Sequence, residues 1–358
     1  MIQNRLSQYW LAILLDMQIP QYWAQARLRH QTGVRHGVTV QRWGWSDNSE
    51  SDAQAHARQR AQQALEAALA AAAKRNLPEY FERMEWRTEY GLDGGTPIRE
   101  EVLERRDESV MTRNSYGAHC LNTENVAIAD IDFPHQKKPA RFPVISSLLL
   151  ALALPWLWMT PLTWSLGAAM LMLLVASIGL IFWSGLKQWL HARQTQRNNA
   201  RLPPPVDIAL AKVRAFSARH PDWGLRVYET PKGLRVIVTH AALAPSSPEV
   251  QGLFQQLEVD PLYAMLCNQQ QCFRARVSGK PWRMGLNGLS GQERRWPLPA
   301  ASQAARQQWV SVYETRSTQF AACRFIDQLG ATTLCSAAQT FVIWHDERSK
   351  AHSSLALA

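Results

Sequence analysis

Cysteine is scarce in this 358-residue chain, and its few copies are irregularly placed. There are five, an odd number: Cys120, Cys267, Cys272, Cys323 and Cys335. This excludes a disulfide-stapled framework and suits reduced thiols in a cytoplasmic protein. Cys267 and Cys272 form at most half of a zinc site, because no second Cys/His pair at ligand spacing follows them. No secretory leader is expected either. The apolar run Trp10–Leu15 is too short for one and lacks a small-residue cleavage site, so it reads as one face of a packed helix. Acidic residues are few from residue 187 onward, where 21 Lys and Arg face 11 Asp and Glu, whereas residues 1–141 balance at 18 against 18. The formal charge of +10 therefore belongs to the C-terminal half. Such a basic region attracts anionic lipid headgroups or phosphate-bearing ligands such as nucleotides and nucleic acid, and charge alone does not separate the two.

The longest absence is of charge itself. Between Arg141 and Lys187, 45 consecutive residues contain no Asp, Glu, Lys, Arg or His. That length suits two spans of roughly 20 residues each, broken at Pro155, Thr160 and Pro161. A two-helix transmembrane hairpin is therefore expected over Phe142–Leu186. Lys137, Lys138 and Arg141 precede it, Lys187, Arg193 and Arg197 follow it, and its turn is uncharged, which places both termini in the cytoplasm at an inner membrane. Trp156, Trp158 and Trp164 at one end and Trp183 and Trp189 at the other suit interfacial anchoring. No ionisable residue lies within, so no ion path is expected.

With 46% hydrophobic residues, the chain has enough apolar material for a folded core outside the hairpin. The expected fold class is an α+β cytoplasmic domain interrupted by the transmembrane hairpin. Its segments are 1–52, an N-terminal helix with a short strand at Val38–Trp43; 53–141, the first part of the domain; 142–186, the hairpin; 187–206, a basic and Pro-rich linker; 207–347, the second part; and 348–358, a tail. Ala53–Arg75 is an alanine-rich helix, and alanine is the strongest helix former. Short alternating segments with Gly and Asn breaks from Tyr80 to Phe133 read as a sheet. Leu225–Thr230 and Leu234–Thr239 read as strands around a Pro231-Lys232-Gly233 turn. Helices follow at Pro248–Gln256 and Pro261–Gln269, then a strand at Cys272–Val277, a helix at Ala301–Tyr313, a strand at Phe320–Ile326 and an amphipathic segment ending at Asp346. Neither flank shows a full set of elements, so the two are expected to pack as one domain.

Three constellations could carry chemistry. Asp130 and Asp132 end an apolar strand, and a two-residue period sets both carboxylates on one face. Such a pair suits Mg²⁺ or Mn²⁺ with phosphate oxygens completing the shell; the ordinary alternative is a solvated strand end. Arg235 and His240 share one strand, while Arg274, Arg276, Lys280 and Arg283 bracket the next. There guanidinium forks could clamp a phosphate chain, or simply form a basic sheet edge. His345-Asp346 could orient a general base or be structural.

Several segments taken together resemble a group of uncharacterised bacterial proteins, over about Val110 to Glu347. They include Thr112–Gly117, Ala129–Asp132, Tyr228–Arg235, Asp260–Tyr263, Gln271–Arg276, Lys280–Arg283 and His345-Asp346. In that group the segments form a soluble module, so the resemblance makes the hairpin an insertion. A more distant similarity is to the archaeo-eukaryotic primase superfamily. Those nucleotidyl transferases place an Asp-x-Asp metal strand before a Thr-Pro-x-Gly hairpin that bears a phosphate-contacting His. Asp130 and Asp132 match the first element and Thr230–Gly233 the second, but Arg235 stands at the hairpin His and no third catalytic carboxylate is evident beyond Asp346.

Two functions are expected on this basis. One is a membrane-tethered, primase-like module that binds a nucleotide or nucleic-acid phosphate, catalytic or degenerate, with the metal at Asp130 and Asp132 and the clamp at Arg235, Arg274, Arg276, Lys280 and Arg283. The other is a non-catalytic membrane scaffold that docks its basic domain on anionic lipid or a protein partner.

Overall fold

The computed structural model describes residues 17–31, 37–73, 85, 96–133, 183, 185–194, 197 and 203–358. The chain is mixed α/β and divides into two compact units, one formed by Met1–Asp132 with Ala209–Ala358, the other by Phe133–Ile208.

In the first unit, strands β1 (Tyr22–Gln31) and β2 (Gly37–Ser46) pair antiparallel as a ribbon. Helix α1 (Glu50–Ala73) lies on it. Its buried alanines, Ala53, Ala57, Ala61, Ala64 and Ala68, recur every three or four residues and so form one helical face. A Cβ on Gly44 of β2 would sit 2.1 Å from the Ala57 amide nitrogen, so helix backbone rests on strand backbone there. The alanine tract thus has a packing role as well as a propensity role, because only small side chains permit that approach. Strand β1 is not evident in the sequence, because Arg27, Arg29 and His30 obscure its alternation. The N-terminal helix expected around Trp10–Leu15 lies outside the described residues.

Two four-stranded antiparallel sheets follow. The first has the order β3 (Glu101–Arg106), β4 (Ser109–Arg113), β5 (His119–Thr123), β9 (Phe273–Arg276). The second has the order β11 (Arg324–Gly330), β7 (Gly224–Thr230), β8 (Gly233–Val238), β6 (Ile128–Asp132). Each sheet therefore combines strands from before and after residues 133–208. Every residue of β8 is buried, as suits a central strand rich in Leu, Val and Ile. The β7–β8 hairpin closes on Pro231-Lys232, with Thr230 paired to Gly233 and its Oγ1 donating to the Gly233 carbonyl at 3.1 Å. Gly233 is required by contact: a Cβ there would lie 2.0 Å from the Ile131 carbonyl oxygen on β6.

Helix α2 (Pro205–Arg219) buries Val213 and Phe216. Helix α3 (Pro248–Leu257) buries Val250, Leu253, Phe254 and Leu257, and starts at Ser247, whose hydroxyl accepts the Val250 amide at 3.3 Å. Helix α4 (Pro261–Gln270) starts at Asp260, which caps the Leu262 amide at 3.0 Å. Tyr263 on α4 joins the two sheets. Its hydroxyl donates to the Ile128 carbonyl on β6 at 3.1 Å and accepts the Arg274 amide on β9 at 3.4 Å. Helix α5 (Gln303–Ser317) precedes β10 (Phe320–Ala321), which pairs in parallel with β12 (Ala356–Leu357). The strand expected at Phe320–Ile326 is thus split: Cys323 is buried at the break, and β11 joins β7 instead. Helix α6 (Ser336–Ser349) carries His345 and Asp346.

The expected two-helix transmembrane hairpin is corrected by this structure, and with it the membrane assignment and inner-membrane location. Among the described residues no helix is long and apolar enough to cross a membrane. Most of Phe142–Leu186 lies outside the described residues. Its described end, Trp183, Gly185 and Leu186, is helical, and residues 185–194 continue as a helix that carries Lys187, His191 and Arg193. Charges so close together do not suit a bilayer core.

Candidate functional site

The carboxylate pair and the basic residues come from neighbouring strands. Register sets Asp130 opposite Arg235 and Asp132 opposite Gly233, at the hairpin end of β6 and β8. Asp130 is partly exposed and Asp132 exposed, on the same face of β6. Arg235 is 3% exposed. Its guanidinium forks onto Asp130, Nε to Oδ1 at 2.9 Å and Nη2 to Oδ2 at 3.2 Å, and Nη1 donates to the Arg276 carbonyl at 2.9 Å. Burial opposes the Arg235 charge, but Asp130 outweighs it and raises the pKa.

This pairing bears directly on the expected metal site. Both oxygens of Asp130 are occupied by a guanidinium, leaving Asp132 as the single open carboxylate of the pair. Among the described residues no group of three His, Cys, Asp or Glu side chains could hold a metal ion. The residues present do not fit the Mg²⁺ or Mn²⁺ site expected at Asp130 and Asp132. The same contact lets Arg235, on the strand that follows the Pro231-Lys232 turn, neutralise Asp130 on the acidic strand.

Arg235 also reaches inward. Its Nη1 lies 3.5 Å from His345 Nε2, which is 3.8 Å from the Cys323 sulfur. His345 Nδ1 is 3.0 Å from Asp346 Oδ1, and Asp346 Oδ2 accepts from Arg226 at 2.7 Å and pairs with His352 at 3.0 Å. Burial disfavours charge on both Cys323 and His345, yet their contact draws the thiol below and the imidazole above its ordinary value. Burial would also raise the Asp346 carboxyl, but the hydrogen bond and charge of His345 hold it down at about 2. The His345-Asp346 motif is thus assembled, with Cys323 as a third member that its irregular spacing concealed. Cys323 and His345 are both fully buried, so the group faces the core and not a substrate.

Arg274 and Arg276 share the less buried face of β9, but their side chains diverge. Arg274 Nη2 donates to the buried Glu100 at 2.5 Å. Arg276 donates to the Ser278 carbonyl and, at 3.0 Å, to the Ala358 oxygen. His240 is not brought to this group. It lies five residues beyond Arg235, about 16 Å along an extended strand, where its ring packs 4.8 Å from Trp223 and burial lowers its pKa.

A second group lies beside β9. Lys280 and Arg283 flank a short 3₁₀ turn, Pro281–Arg283. The Lys280 pKa is lowered first by burial and then by Arg276, Arg283 and Lys232; that of Arg283 is lowered by burial and by Arg276. Among the described residues none of Lys232, Arg276, Lys280 and Arg283 has an Asp or Glu partner. Two aromatic rings complete the group. Trp282 and Tyr116 pack at 5.2 Å between centroids, and Lys280 Nζ lies 5.5 Å from the first and 6.0 Å from the second. Burial pushes the Tyr116 phenol up to about 12, against the pull of Arg276 and Arg274.

Lys280, Arg283 and Arg276 are legible in the sequence as a basic set. Lys232, Tyr116 and Trp282 join them only in the structure, although a tryptophan between two cations in Lys280-Pro281-Trp282-Arg283 is an available signal. No protein-family model, curated protein or solved structure matches the chain.

Proposed function

We propose that this protein binds a phosphate-bearing polyanion, a nucleotide or nucleic acid, on the surface formed by Lys232, Arg276, Lys280 and Arg283, without a metal. One observation carries the reading: Arg276 of β9, Arg283 of the 3₁₀ turn and Lys232 of the β7–β8 turn gather around Lys280, and among the described residues none of the four is ion-paired to an Asp or Glu. Like charges so gathered disfavour one another, and burial adds to the cost. A structural basic edge would be expected to spread its charges or pair them, as Arg274 is paired with Glu100. A ligand phosphate relieves that repulsion, and guanidinium and ammonium groups are its ordinary partners. Arg235 is excluded from the clamp because Asp130 and the Arg276 carbonyl already engage it.

The test is fluorescence anisotropy of a labelled oligonucleotide titrated with the full chain. Binding should weaken with salt, with log K falling by about 0.7 per phosphate contacted on a single strand for each unit of log[salt]. EDTA should leave it unchanged. The double variant Lys280→Ala/Arg283→Ala should bind more weakly and with a shallower salt slope. No binding of oligonucleotide or inorganic polyphosphate at low salt overturns the proposal.

A further inference from the structure

Trp282 is 55% exposed, which is unusual for the largest apolar side chain, whose burial ordinarily contributes heavily to folding. Its position is not a loose loop. Pro281 fixes the start of the turn, the Arg283 amide donates to the Lys280 carbonyl at 2.9 Å, and the Met284 and Leu286 amides both converge on the Pro281 carbonyl at 3.0 and 2.9 Å. The Tyr116 ring supports the indole from behind, at 5.2 Å and an interplanar angle of 59°. One side of a rigidly mounted indole is thus packed against Tyr116, while more than half of the residue is exposed, with the Lys280 ammonium 5.5 Å from its ring centre.

We infer that Trp282 is a stacking platform for an unpaired nucleobase, so that the cation group takes single-stranded nucleic acid. The inference rests on the polyanion-binding reading above and specifies its ligand. An indole face offers a planar π surface to any base, and Lys280, 5.5 Å from the ring centre, and Arg283, the next residue along the turn, would meet the phosphates that adjoin that base. Duplex would present only its phosphates here, because its bases are stacked on one another. An apolar protein surface is a poor match, since docking it on Trp282 would desolvate the surrounding cations without partners. Insertion into a lipid interface ordinarily uses a broad apolar face, and this turn offers one aromatic side chain between Lys280 and Arg283.

The experiment compares the full-length wild type with Trp282→Ala and Trp282→Phe. Four probes are used: a labelled oligothymidylate, an oligomer of equal length with abasic sites, inorganic polyphosphate, and vesicles containing phosphatidylglycerol. Trp282→Ala should weaken oligothymidylate binding by about 5- to 150-fold, the range for loss of one stacked base. It should leave polyphosphate binding unchanged, and Trp282→Phe should retain most of the affinity. The abasic oligomer should bind wild type about as weakly as oligothymidylate binds Trp282→Ala. If Trp282→Ala and wild type bind oligothymidylate equally while both bind polyphosphate, stacking is wrong and the polyanion reading stands. Equal binding of abasic and normal oligomers to wild type likewise overturns stacking alone. A Trp282-dependent preference for vesicles over oligothymidylate overturns the inference in favour of a lipid surface. Failure of wild type to bind either oligothymidylate or polyphosphate overturns both.

Discussion

Arg235 and Lys280 both neighbour Arg276, and their surroundings treat positive charge in opposite ways. Around Arg235 the charges are buried and answered: Asp130 takes its fork, the Arg276 carbonyl takes its third nitrogen, and Asp346 takes Arg226. Around Lys280 the cations are half-buried and lack an Asp or Glu partner among the described residues; Arg276 donates only to the Ser278 carbonyl and the Ala358 oxygen, and Lys280 itself lies among further cations and two aromatic rings. Residues of similar chemistry that share one neighbour, Arg276, therefore do different work. The first group holds two sheets together; the second has no Asp or Glu partner among the described residues, which is what the proposed polyanion binding uses.

The largest effect should come from breaking the answered group. Arg235→Ala removes charge-assisted hydrogen bonds to the partly exposed Asp130 and leaves the Arg276 carbonyl without its donor, so unfolding free energy in urea should fall by about 3 kcal/mol. A smaller loss follows from Asp346→Asn. The Asp346 carboxyl is held at about 2 against an ordinary 3.8, which corresponds to about 2 kcal/mol at neutral pH. Its folded pKa lies below its unfolded one, so this contribution is complete above about pH 4 and disappears as pH falls through about 2. The stability difference between wild type and Asp346→Asn, followed by denaturation at several pH values, should therefore close at the acid end.

The unanswered group should behave in reverse. Lys280→Ala removes a cation that its neighbours repel, so stability should change by less than about 0.5 kcal/mol, as for most surface substitutions. Oligonucleotide binding should nevertheless weaken several-fold and show a shallower salt slope. Wild-type binding should also decline on raising the pH before the ordinary lysine range is reached, because the Lys280 pKa is depressed and its charge is lost early.

The contrast is partly legible in the sequence. The β7–β8 hairpin is readable because Pro-Lys-Gly sits between two alternating apolar runs, and β9 because Phe273 and Ala275 alternate with Arg274 and Arg276. The basic set around Lys280 is readable as charge. Which arginine is free and which is spent is not, because that depends on cross-strand register: Asp130 and Arg235 are 105 residues apart and meet only through β6–β8 pairing. Cys323 is hidden for the same reason, since its contact with His345 joins a strand break to a helix. The hairpin expected from the uncharged run shows the opposite error. An uncharged composition over 45 residues suggests an architecture, whereas a span also needs a continuous apolar helix, and none is found among the described residues.

The smallest effect is expected at Asp132, and it separates two accounts of the acidic strand. Asp132 ends β6 opposite Gly233, next to Lys232 on the hairpin turn, and among the described residues no cation pairs with it. If the strand held a divalent metal, Asp132→Asn would delete a ligand and abolish any Mg²⁺-dependent affinity. With Asp130 committed to Arg235, Asp132 is instead a lone negative charge beside a surface that attracts phosphate. At about 8 Å in water two like charges repel by about 0.5 kcal/mol, so neutralising Asp132 should tighten oligonucleotide binding by about twofold at low salt. The gain should shrink as salt screens the interaction, and stability should change by less than about 0.5 kcal/mol. Anisotropy titrations of wild type and Asp132→Asn, each with Mg²⁺ and with EDTA, read both outcomes. A loss of binding that appears only with Mg²⁺ would restore the metal to Asp132, whereas a modest gain indifferent to EDTA leaves the cations beside Trp282 to do the binding alone.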